Sequence, residues 1–253
     1  MFKANRQLQE ETHYLMLFSD ITEVQFLRLT AKHIKMLSEE STEDLLFLTK
    51  CVTHRMLLHG YGCGIFPMPY LDPAAEQVTL YCWFSPVKRA IIQIPPSKDS
   101  ALGNPPKSLR ASAKRYHVTI NSDFRSTVNL CAETRSEGNW INSTMTEMYN
   151  QLHLEGHAHS IETWRSNIVR PELVGGLFGV QSNKIFAGES MFHRANDASK
   201  VALLELVRVA PSLGIELIDA QWITPHLASL GAVEIPRMDY LSIIDNTLLM
   251  STE

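Results

Sequence analysis

Apolar residues follow two different spacings along this chain, and the change between them divides it into two regions. Over the first sixty residues they recur at helical spacing, which predicts two helices before residue 40 and a third after it. The third helix is predicted to begin at Ser41, because Ser-Thr-Glu-Asp suits a helix N-terminus, and to end at Gly60. Its apolar positions are Leu45, Leu48, Val52 and Met56.

The rest of the chain predicts strands that alternate with helices. Short apolar runs predict strands at residues 78–84, 90–94, 159–164, 173–180, 184–191 and 215–221. Helical patterns with capping residues or prolines at their ends cover residues 144–153, 197–210 and 225–230. Residues 95–106, which are rich in Pro, Ser and Gly, are expected to form a loop. This alternation predicts a mixed α/β domain at residues 89–253, after a smaller N-terminal domain at residues 1–88, mostly helical at its start.

Composition excludes several classes of protein. The chain has 253 residues, of which 45% are hydrophobic and 20% charged, so it is neither disordered nor fibrous. A net charge of −4 excludes a wholly cationic nucleic-acid binder, so any RNA contact needs a local basic patch. Residues 100–122 contain no acid and provide such a patch. Its basic residues are Lys107, Arg110, Lys114 and Arg115.

Motifs for cofactors and for targeting to a membrane are missing. The chain has no P-loop, no complete Gly-x-Gly-x-x-Gly and no Cys-x-x-Cys, so we expect no cofactor and thiols without a catalytic role. The histidines at 153, 157 and 159 have no nearby acid or thiol ligand, so we expect hydrogen-bonded histidines and no metal. Without an apolar leader or a long apolar run, we expect no membrane partner and a cytoplasmic location.

Three polar residues stand out in the predicted strands. Glu189 lies near the end of one strand, and Asp219 and Gln221 lie two positions apart in another. Because strand side chains alternate, Asp219 and Gln221 are predicted to share a face. A carboxylate and an amide on an apolar strand are costly to bury without partners. The pattern alone leaves open a ligand site or a strand end with satisfied hydrogen bonds.

Several segments together resemble one enzyme family. The segments are Gly64-Ile-Phe-Pro-Met68, Trp83-Phe-Ser-Pro86 with Arg89-Ala90, Trp140-Ile141, Gly156-His-Ala-His-Ser-Ile-Glu162, Leu173-Val-Gly-Gly-Leu-Phe-Gly-Val180, Gly188-Glu-Ser-Met-Phe192, Ala198-Ser-Lys200, Leu217-Ile-Asp219 with Gln221, and Ser229-Leu-Gly-Ala232. Over about residues 41–245 the chain resembles the leucyl/phenylalanyl-tRNA–protein transferases. The combination is specific, although each segment alone is a weak signal.

The resemblance implies a fold and an activity. The C-terminal domain is expected to have the fold of acyl-CoA N-acyltransferases (GNAT-like), with a mixed sheet, and the tRNA 3′ end in place of coenzyme A. The enzyme is expected to move leucine or phenylalanine from aminoacyl-tRNA to an N-terminal Arg or Lys of acceptor proteins, which marks them as N-degrons. Because the donor ester is already activated, the reaction needs orientation of an amine and transfer of one proton.

The resemblance also implies roles for individual residues. Asp219 is expected to hold the acceptor amine, Gln221 to bind that amine or the tetrahedral oxygen, and Glu189 to bind the basic acceptor side chain or the donor amino group. Leu177, Phe186 and Leu206 are expected to line the donor pocket, Trp140 to lie near the terminal adenosine, and the basic patch to contact acceptor-stem phosphates. Met68 replaces a family tryptophan, which leaves methionine open as a donor. Asp219→Ala is expected to reduce transfer and leave the fold intact.

Two other functions remain open at this point. An acetyl-CoA-dependent N-acetyltransferase could share the fold, although the glycine-rich pyrophosphate loop of such enzymes is missing. A non-catalytic RNA-binding module could use the basic patch, but it would have no use for Glu189, Asp219 and Gln221.

Overall fold

Helices and strands alternate along the computed structural model, which describes residues 21–71, 78–133, 140–165 and 170–249. The helices are α1 (Glu23–Phe26), α2 (Ala31–Glu40), α3 (His54–Gly62), α4 (Lys107–Ala113), α5 (Phe124–Glu133), α6 (Ser143–Leu154), α7 (Ala198–Val209), α8 (Pro225–Leu230) and α9 (Arg237–Leu249). The strands are β1 (Leu45–Thr49), β2 (Phe66–Leu71), β3 (Val78–Phe84), β4 (Lys88–Gln93), β5 (Tyr116–Ile120), β6 (Ala158–Arg165), β7 (Glu172–Ser182), β8 (Ile185–His193), β9 (Leu217–Gln221) and β10 (Val233–Pro236). The helix predicted before residue 20 lies outside the described residues.

The chain forms two compact units. Among the described residues, the first unit contains those up to Val87 together with Pro236–Leu249, and the second contains those between Lys88 and Ile235. The C-terminal helix α9 therefore belongs to the first unit, whereas the sequence pattern assigned it to the second domain. Among the described residues, none of the helices combines the length and the apolar character that a membrane span requires.

A three-stranded antiparallel sheet in the order β1-β3-β2 forms the first unit's framework. The helix predicted over residues 41–60 is wrong in its first half, because Leu45–Thr49 form β1 and only His54–Gly62 are helical. Strand β2 lies at a sheet edge. Edge strands tolerate Pro67 and Pro69, which cannot donate ladder hydrogen bonds.

Trp83 is the centre of the first unit's core. Its ring is fully buried, packs 4.4 Å from the ring of Phe26, and donates a hydrogen bond from Nε1 to Thr49 Oγ1 at 3.0 Å. Helix α3 crosses the ring at Gly60, where a Cβ atom would lie 2.5 Å from Trp83. The close approach of helix and indole therefore requires glycine at position 60.

Arg237 at the start of helix α9 forms hydrogen bonds with the loops of the first unit. Its guanidinium donates hydrogen bonds to four backbone carbonyl oxygens, and its side chain is buried. The acceptors are the carbonyl oxygens of Ser38, Ser41, Glu43 and Ser85. Folding removes these carbonyl oxygens from water, and the arginine replaces the hydrogen bonds that they lose. Arg237 therefore stabilises this set of loops.

Two thiols of the first unit are poorly reactive at neutral pH. Burial raises the pKa of Cys63 and that of Cys82 to about 12, and the Asp245 carboxylate adds to the effect at Cys63. Both thiols therefore stay protonated at neutral pH, and a protonated thiol is a poor nucleophile.

The second unit contains a seven-stranded mixed sheet in the order β10-β4-β9-β8-β7-β6-β5. Strands β8 and β9 are parallel, whereas β4–β9 and the successive pairs from β5 to β8 are antiparallel. This confirms the predicted mixed α/β class. The predicted strands β7 and β8 and the predicted helices α6, α7 and α8 are also present, and Asn142 caps α6 by accepting from the Met145 N–H.

Helices cover both faces of this sheet. Gly175 and Gly176 are successive residues of β7, so their missing side chains point to opposite faces. A Cβ atom on Gly175 would lie 2.4 Å from Ala198 of α7, and one on Gly176 would lie 3.3 Å from Thr127 of α5. Helices α7 and α5 therefore pack on opposite faces of the sheet, with β7 buried between them.

Candidate active site

The candidate site lies where β8 and β9 stop pairing. Their parallel ladder consists of Ile185–Leu217, Phe186–Ile218 and Ala187–Asp219, but β8 continues to His193 and β9 to Gln221. Just past the last pair, Gln221 Nε2 donates a hydrogen bond of 3.0 Å to Glu189 Oε1. The carboxyl ends of parallel strands that separate are a common place for ligands in α/β proteins.

Two β-bulges place the polar residues. The extra residue of the β8 bulge is Glu189, and that of the β9 bulge is Ala220, which separates Asp219 from Gln221. Gln221 also adopts a left-handed backbone conformation with φ of 59°. Bulges redirect side chains and are frequent near active sites. Residues other than glycine in a left-handed conformation are also frequent there.

Asp219 forms a buried ion pair with Arg89 of β4. Arg89 Nε donates to Oδ1 at 2.7 Å and its terminal nitrogen donates to Oδ2 at 2.5 Å, and both side chains are 1% exposed. Oδ1 also accepts the Gln221 N–H at 2.9 Å. Both carboxylate oxygens of Asp219 therefore already accept hydrogen bonds from the protein.

Glu189 is held by an amide and a phenol. Its Oε1 accepts from Gln221, and its Oε2 accepts from the hydroxyl of Tyr149 in α6 at 2.6 Å. The Tyr149 ring packs edge to face against Trp140, with ring centroids 6.3 Å apart. Trp140 is thus connected to the polar cluster through one intervening side chain.

These contacts define a polar cluster of five residues: Arg89, Tyr149, Glu189, Asp219 and Gln221. Within this cluster Arg89 donates to both oxygens of Asp219, and Glu189 accepts from Tyr149 and Gln221. Because a carboxylate attracts a cationic group nearby, the Glu189 end of the cluster is the candidate place for an amine.

The three residues predicted for the donor pocket lie in one buried hydrophobic cluster. Leu177 on β7, Phe186 on β8 and Leu206 on α7 are each at most 3% exposed, and partly buried Met191 packs against the same cluster. The pair of Phe186 with Ile218 directly precedes the last pair of the ladder. The apolar cluster therefore adjoins the polar one.

The remaining predicted site residues lie in other elements. Met68 is a partly buried residue of β2 in the first unit. In the second unit, Lys107 and Arg110 lie on α4, Lys114 and Arg115 follow it, and all four side chains are exposed. Arg115 donates a hydrogen bond to Ser112 Oγ at 2.7 Å. The stretch that was predicted only as a basic patch thus includes a short helix.

The clustered histidines have hydrogen-bonding partners. The ring of His153 contacts the Ala158 carbonyl oxygen at 2.8 Å through Nδ1, and the ring of His159 contacts the Asn121 side-chain amide at 3.0 Å. Burial, together with His153 and His157 nearby, lowers the pKa of His159. Within the described ranges, no group of three His, Cys, Asp or Glu side chains is arranged to hold a metal ion.

The sequence did not indicate Arg89 and Tyr149 as members of the site. Arg89 lies in a strand whose next three residues are buried and apolar, and an arginine in such a run is a usable signal for a buried ionic partner. Tyr149 lies on the buried face of α6 with Met145 and Leu152, so its spacing predicts core packing. Only the tertiary structure gives its hydroxyl a role.

Sequence comparisons now place the protein among known ones. The family model "Leucyl/phenylalanyl-tRNA protein transferase" matches residues 102–245. A relative with this name from Rhodopseudomonas palustris (strain HaA2) is 41% identical, covering 78% of this chain and 84% of the relative. Another from Herpetosiphon aurantiacus is 40% identical, covering 81% of this chain and 98% of the relative.

The solved structures that match this chain have much lower sequence identity to it. FemX has a TM-score of 0.48 and 9% identity, covering 82% of this chain and 73% of FemX. A tandem GNAT protein from the clavulanic acid biosynthesis pathway has a TM-score of 0.34 and 10% identity, covering 79% of this chain and 64% of its own.

The α/β fold, the polar cluster and the sequence relatives together define an aminoacyltransferase, as the sequence predicted. More specifically, the chain belongs to the leucyl/phenylalanyl-tRNA–protein transferase family.

Proposed function

We propose that this protein transfers leucine or phenylalanine from aminoacyl-tRNA to the N-terminal Arg or Lys of acceptor proteins. Its second unit would act as a GNAT-like catalytic domain, and the transfer would mark the acceptors as N-degrons in the cytoplasm. The observation that carries the proposal is the position of the Glu189 carboxylate, which Tyr149 and Gln221 hold at the end of the β8–β9 ladder.

The reaction exchanges one acyl bond for another. The acceptor nitrogen attacks the ester carbonyl carbon, a C–N bond forms, and the bond to the ribose oxygen breaks. One amine proton leaves the nitrogen, and the ribose oxygen ends as a hydroxyl, so atoms and charge balance. An N-terminal amine has a pKa of about 7.7 to 8.0, so much of it is protonated near neutral pH and must lose a proton before attack.

The geometry supports Glu189 as the group that binds the acceptor amine. Asp219 is 1% exposed and paired with Arg89, whereas Glu189 is 6% exposed and accepts hydrogen bonds from Tyr149 and Gln221. Glu189 would hold the ammonium form and accept its proton before the neutral nitrogen attacks; the proton that the nitrogen loses after attack ends on the ribose oxygen. Gln221 would hydrogen-bond the tetrahedral oxygen or the amine, and Asp219 would keep Gln221 in place.

The apolar cluster supports an apolar donor side chain. Leucine or phenylalanine would pack against Leu177, Phe186 and Leu206, and the flexible Met191 at its border could adapt to either. Discrimination against a smaller donor is expected to be modest, since a missing methylene is worth only about 1 to 3 kcal/mol. Methionine, which the departure of the sequence from the family at Met68 left open, remains a third donor to test.

Leucine transfer is the direct test of this function. Purified protein is expected to move radiolabelled leucine from leucyl-tRNA to a peptide that begins with Arg, but not to the same peptide with an acetylated N-terminus. The acetylated peptide controls for hydrolysis and for transfer to side chains. Phenylalanyl-tRNA and methionyl-tRNA complete the donor set, and a peptide that begins with Lys completes the acceptor set.

Two outcomes would contradict the proposal. Failure with all three charged tRNAs and with both acceptor peptides would exclude the transferase function. A rise of the melting temperature with coenzyme A, combined with acetyl transfer to the peptide, would instead favour an N-acetyltransferase.

The basic residues of α4 are expected to contact tRNA phosphates. Lys107 and Arg110 are neighbours on one helix face, so replacing both by alanine should raise the KM for leucyl-tRNA and leave kcat unchanged. The slope of log affinity against log salt concentration should fall by about 1 for each lost phosphate contact. Lys184→Ala is the control, because this lysine is paired with Glu216 at 2.7 Å. An unchanged salt slope in the α4 variant would exclude this surface.

A further inference from the structure

The guanidinium of Arg89 is buried, although the residue carries a charge and lies on a strand of the seven-stranded sheet. It lies on β4, its side chain is 1% exposed, and the three residues after it in the strand are buried and apolar. Burial of a charged group is unfavourable unless a partner of opposite charge and hydrogen bonds compensate for it. Asp219 supplies both, because Arg89 contacts its two oxygens through two different nitrogens.

One oxygen of Asp219 connects this ion pair to the reactive end of the cluster. Oδ1 accepts Arg89 Nε at 2.7 Å and the Gln221 N–H at 2.9 Å. Gln221 has φ of 59°, a conformation that a residue with a side chain adopts only when its surroundings hold it. From this backbone position the Gln221 side chain reaches Glu189.

We propose that Arg89 is a positioning residue for aminoacyl transfer, which acts through Asp219 to hold Gln221 in its left-handed conformation and thereby aims the Gln221 amide at Glu189. The inference rests on the proposed transferase function. It assigns the buried ion pair a role in the geometry of the site, beyond its contribution to the stability of the sheet.

Arg89→Lys separates geometry from charge. Lysine keeps the positive charge but presents one nitrogen, so it cannot reproduce the two-pronged contact with the carboxylate. Once the substrate-positioning groups shift by about 1 Å, a loss of about 10²-fold in kcat is expected. The KM for leucyl-tRNA should stay close to the wild-type value, since Arg89 is 1% exposed and so does not present a surface to the tRNA.

A double-mutant cycle with Asp219→Asn tests the path of action. If Arg89 acts through Asp219, the effects on kcat are not additive, and Arg89→Lys combined with Asp219→Asn is no slower than Asp219→Asn alone. Additive losses would overturn the inference. So would a wild-type kcat, per folded molecule, in Arg89→Lys.

Arg237→Lys is the matched control. Arg237 is also a buried arginine, and its guanidinium donates to backbone carbonyl oxygens of the first unit. This control should lower the melting temperature and leave kcat per folded molecule unchanged. An equal loss of kcat in both variants would show that any disturbed buried arginine has this effect, which would overturn the inference.

If Arg89→Lys does not fold, a double variant that removes both charges of the ion pair tests the inference. Arg89→Met combined with Asp219→Asn removes both charges and keeps most of the volume, which buried ion pairs often tolerate. The inference predicts a melting temperature near that of the wild type together with a low kcat, and a wild-type kcat would overturn it. Wild-type protein that fails to transfer leucine would contradict the proposed function itself, a result independent of these variants.

Discussion

Glu189→Gln is expected to reduce the rate of leucine transfer by about 10²-fold or more, the usual size of a lost acid–base contribution. Glutamine has nearly the same shape, and its side-chain oxygen can still accept the Tyr149 hydroxyl. It carries no negative charge, so it cannot attract an ammonium group or take its proton. A single-turnover assay with radiolabelled leucyl-tRNA and an Arg-initiated peptide measures the loss.

Glu162→Gln is the control for this variant. Glu162 is another buried carboxylate on a strand of the same unit, and its oxygens accept hydrogen bonds from Ser160 and Thr119. The donors to Glu162, which also include the backbone N–H groups of Ser122 and Asp123, are not members of the polar cluster. Its replacement should therefore lower stability and leave the rate per folded molecule unchanged. A Glu189→Gln rate within about threefold of the wild type would contradict the assignment of the amine to Glu189, given the expected size of the effect.

Asp219→Ala is expected to lower the free energy of unfolding by about 3 to 5 kcal/mol, because it leaves the Arg89 guanidinium buried without its carboxylate. The structure therefore changes the expectation drawn from sequence, in which this variant kept its fold. Loss of activity in Asp219→Ala would mix unfolding with catalysis. Asp219→Asn, which keeps an acceptor for Arg89 and for the Gln221 N–H, is the better variant for kinetics.

Urea unfolding followed by circular dichroism measures this effect, with Glu216→Ala as the control. Glu216 pairs with Lys184 at 2.7 Å, but both side chains are substantially exposed, so its loss should cost at most about 1 kcal/mol. An Asp219→Ala protein as stable as the Glu216→Ala protein would show that the buried ion pair contributes little.

The elements that the sequence predicted well are those with long and regular patterns. The β7–β8 hairpin has two apolar runs around Asn183, whose φ of 53° suits a turn, and α8 has Pro225 at its start and Gly231 at its end. Such signals are local, so tertiary contacts do not alter them.

The wrong helix at residues 45–49 shows where local patterns fail. The apolar run Leu45–Leu48 is only four residues long and fits a strand as well as a helix, and pairing with β3 decides for the strand. The acidic residue in front of it, Asp44, does not cap a helix, because its carboxylate accepts the Val87 N–H at 2.7 Å. That contact joins residues 43 positions apart in the sequence, and no local pattern predicts it.

The candidate site was predictable in its polar residues but not in its geometry. The resemblance to a family selected Glu189, Asp219 and Gln221, and they do lie together. The alternation of side chains along an ideal strand could not reveal the bulge at Ala220. On either side of this bulge, Asp219 contacts Arg89 on β4 and Gln221 contacts Glu189 on β8. Arg89 is 130 positions away from Asp219, so their pairing is a property of the folded sheet.

The most direct test of the central claim is a crystal structure with an amide-linked analogue of leucyl-adenosine, which resembles the donor end but cannot react. The account predicts that the leucyl side chain packs against Leu177, Phe186 and Leu206. It also predicts an analogue carbonyl carbon that an amine held by Glu189 could approach to about 3 to 3.5 Å. An analogue bound in the protein with its carbonyl remote from Glu189 and Gln221 would contradict the account.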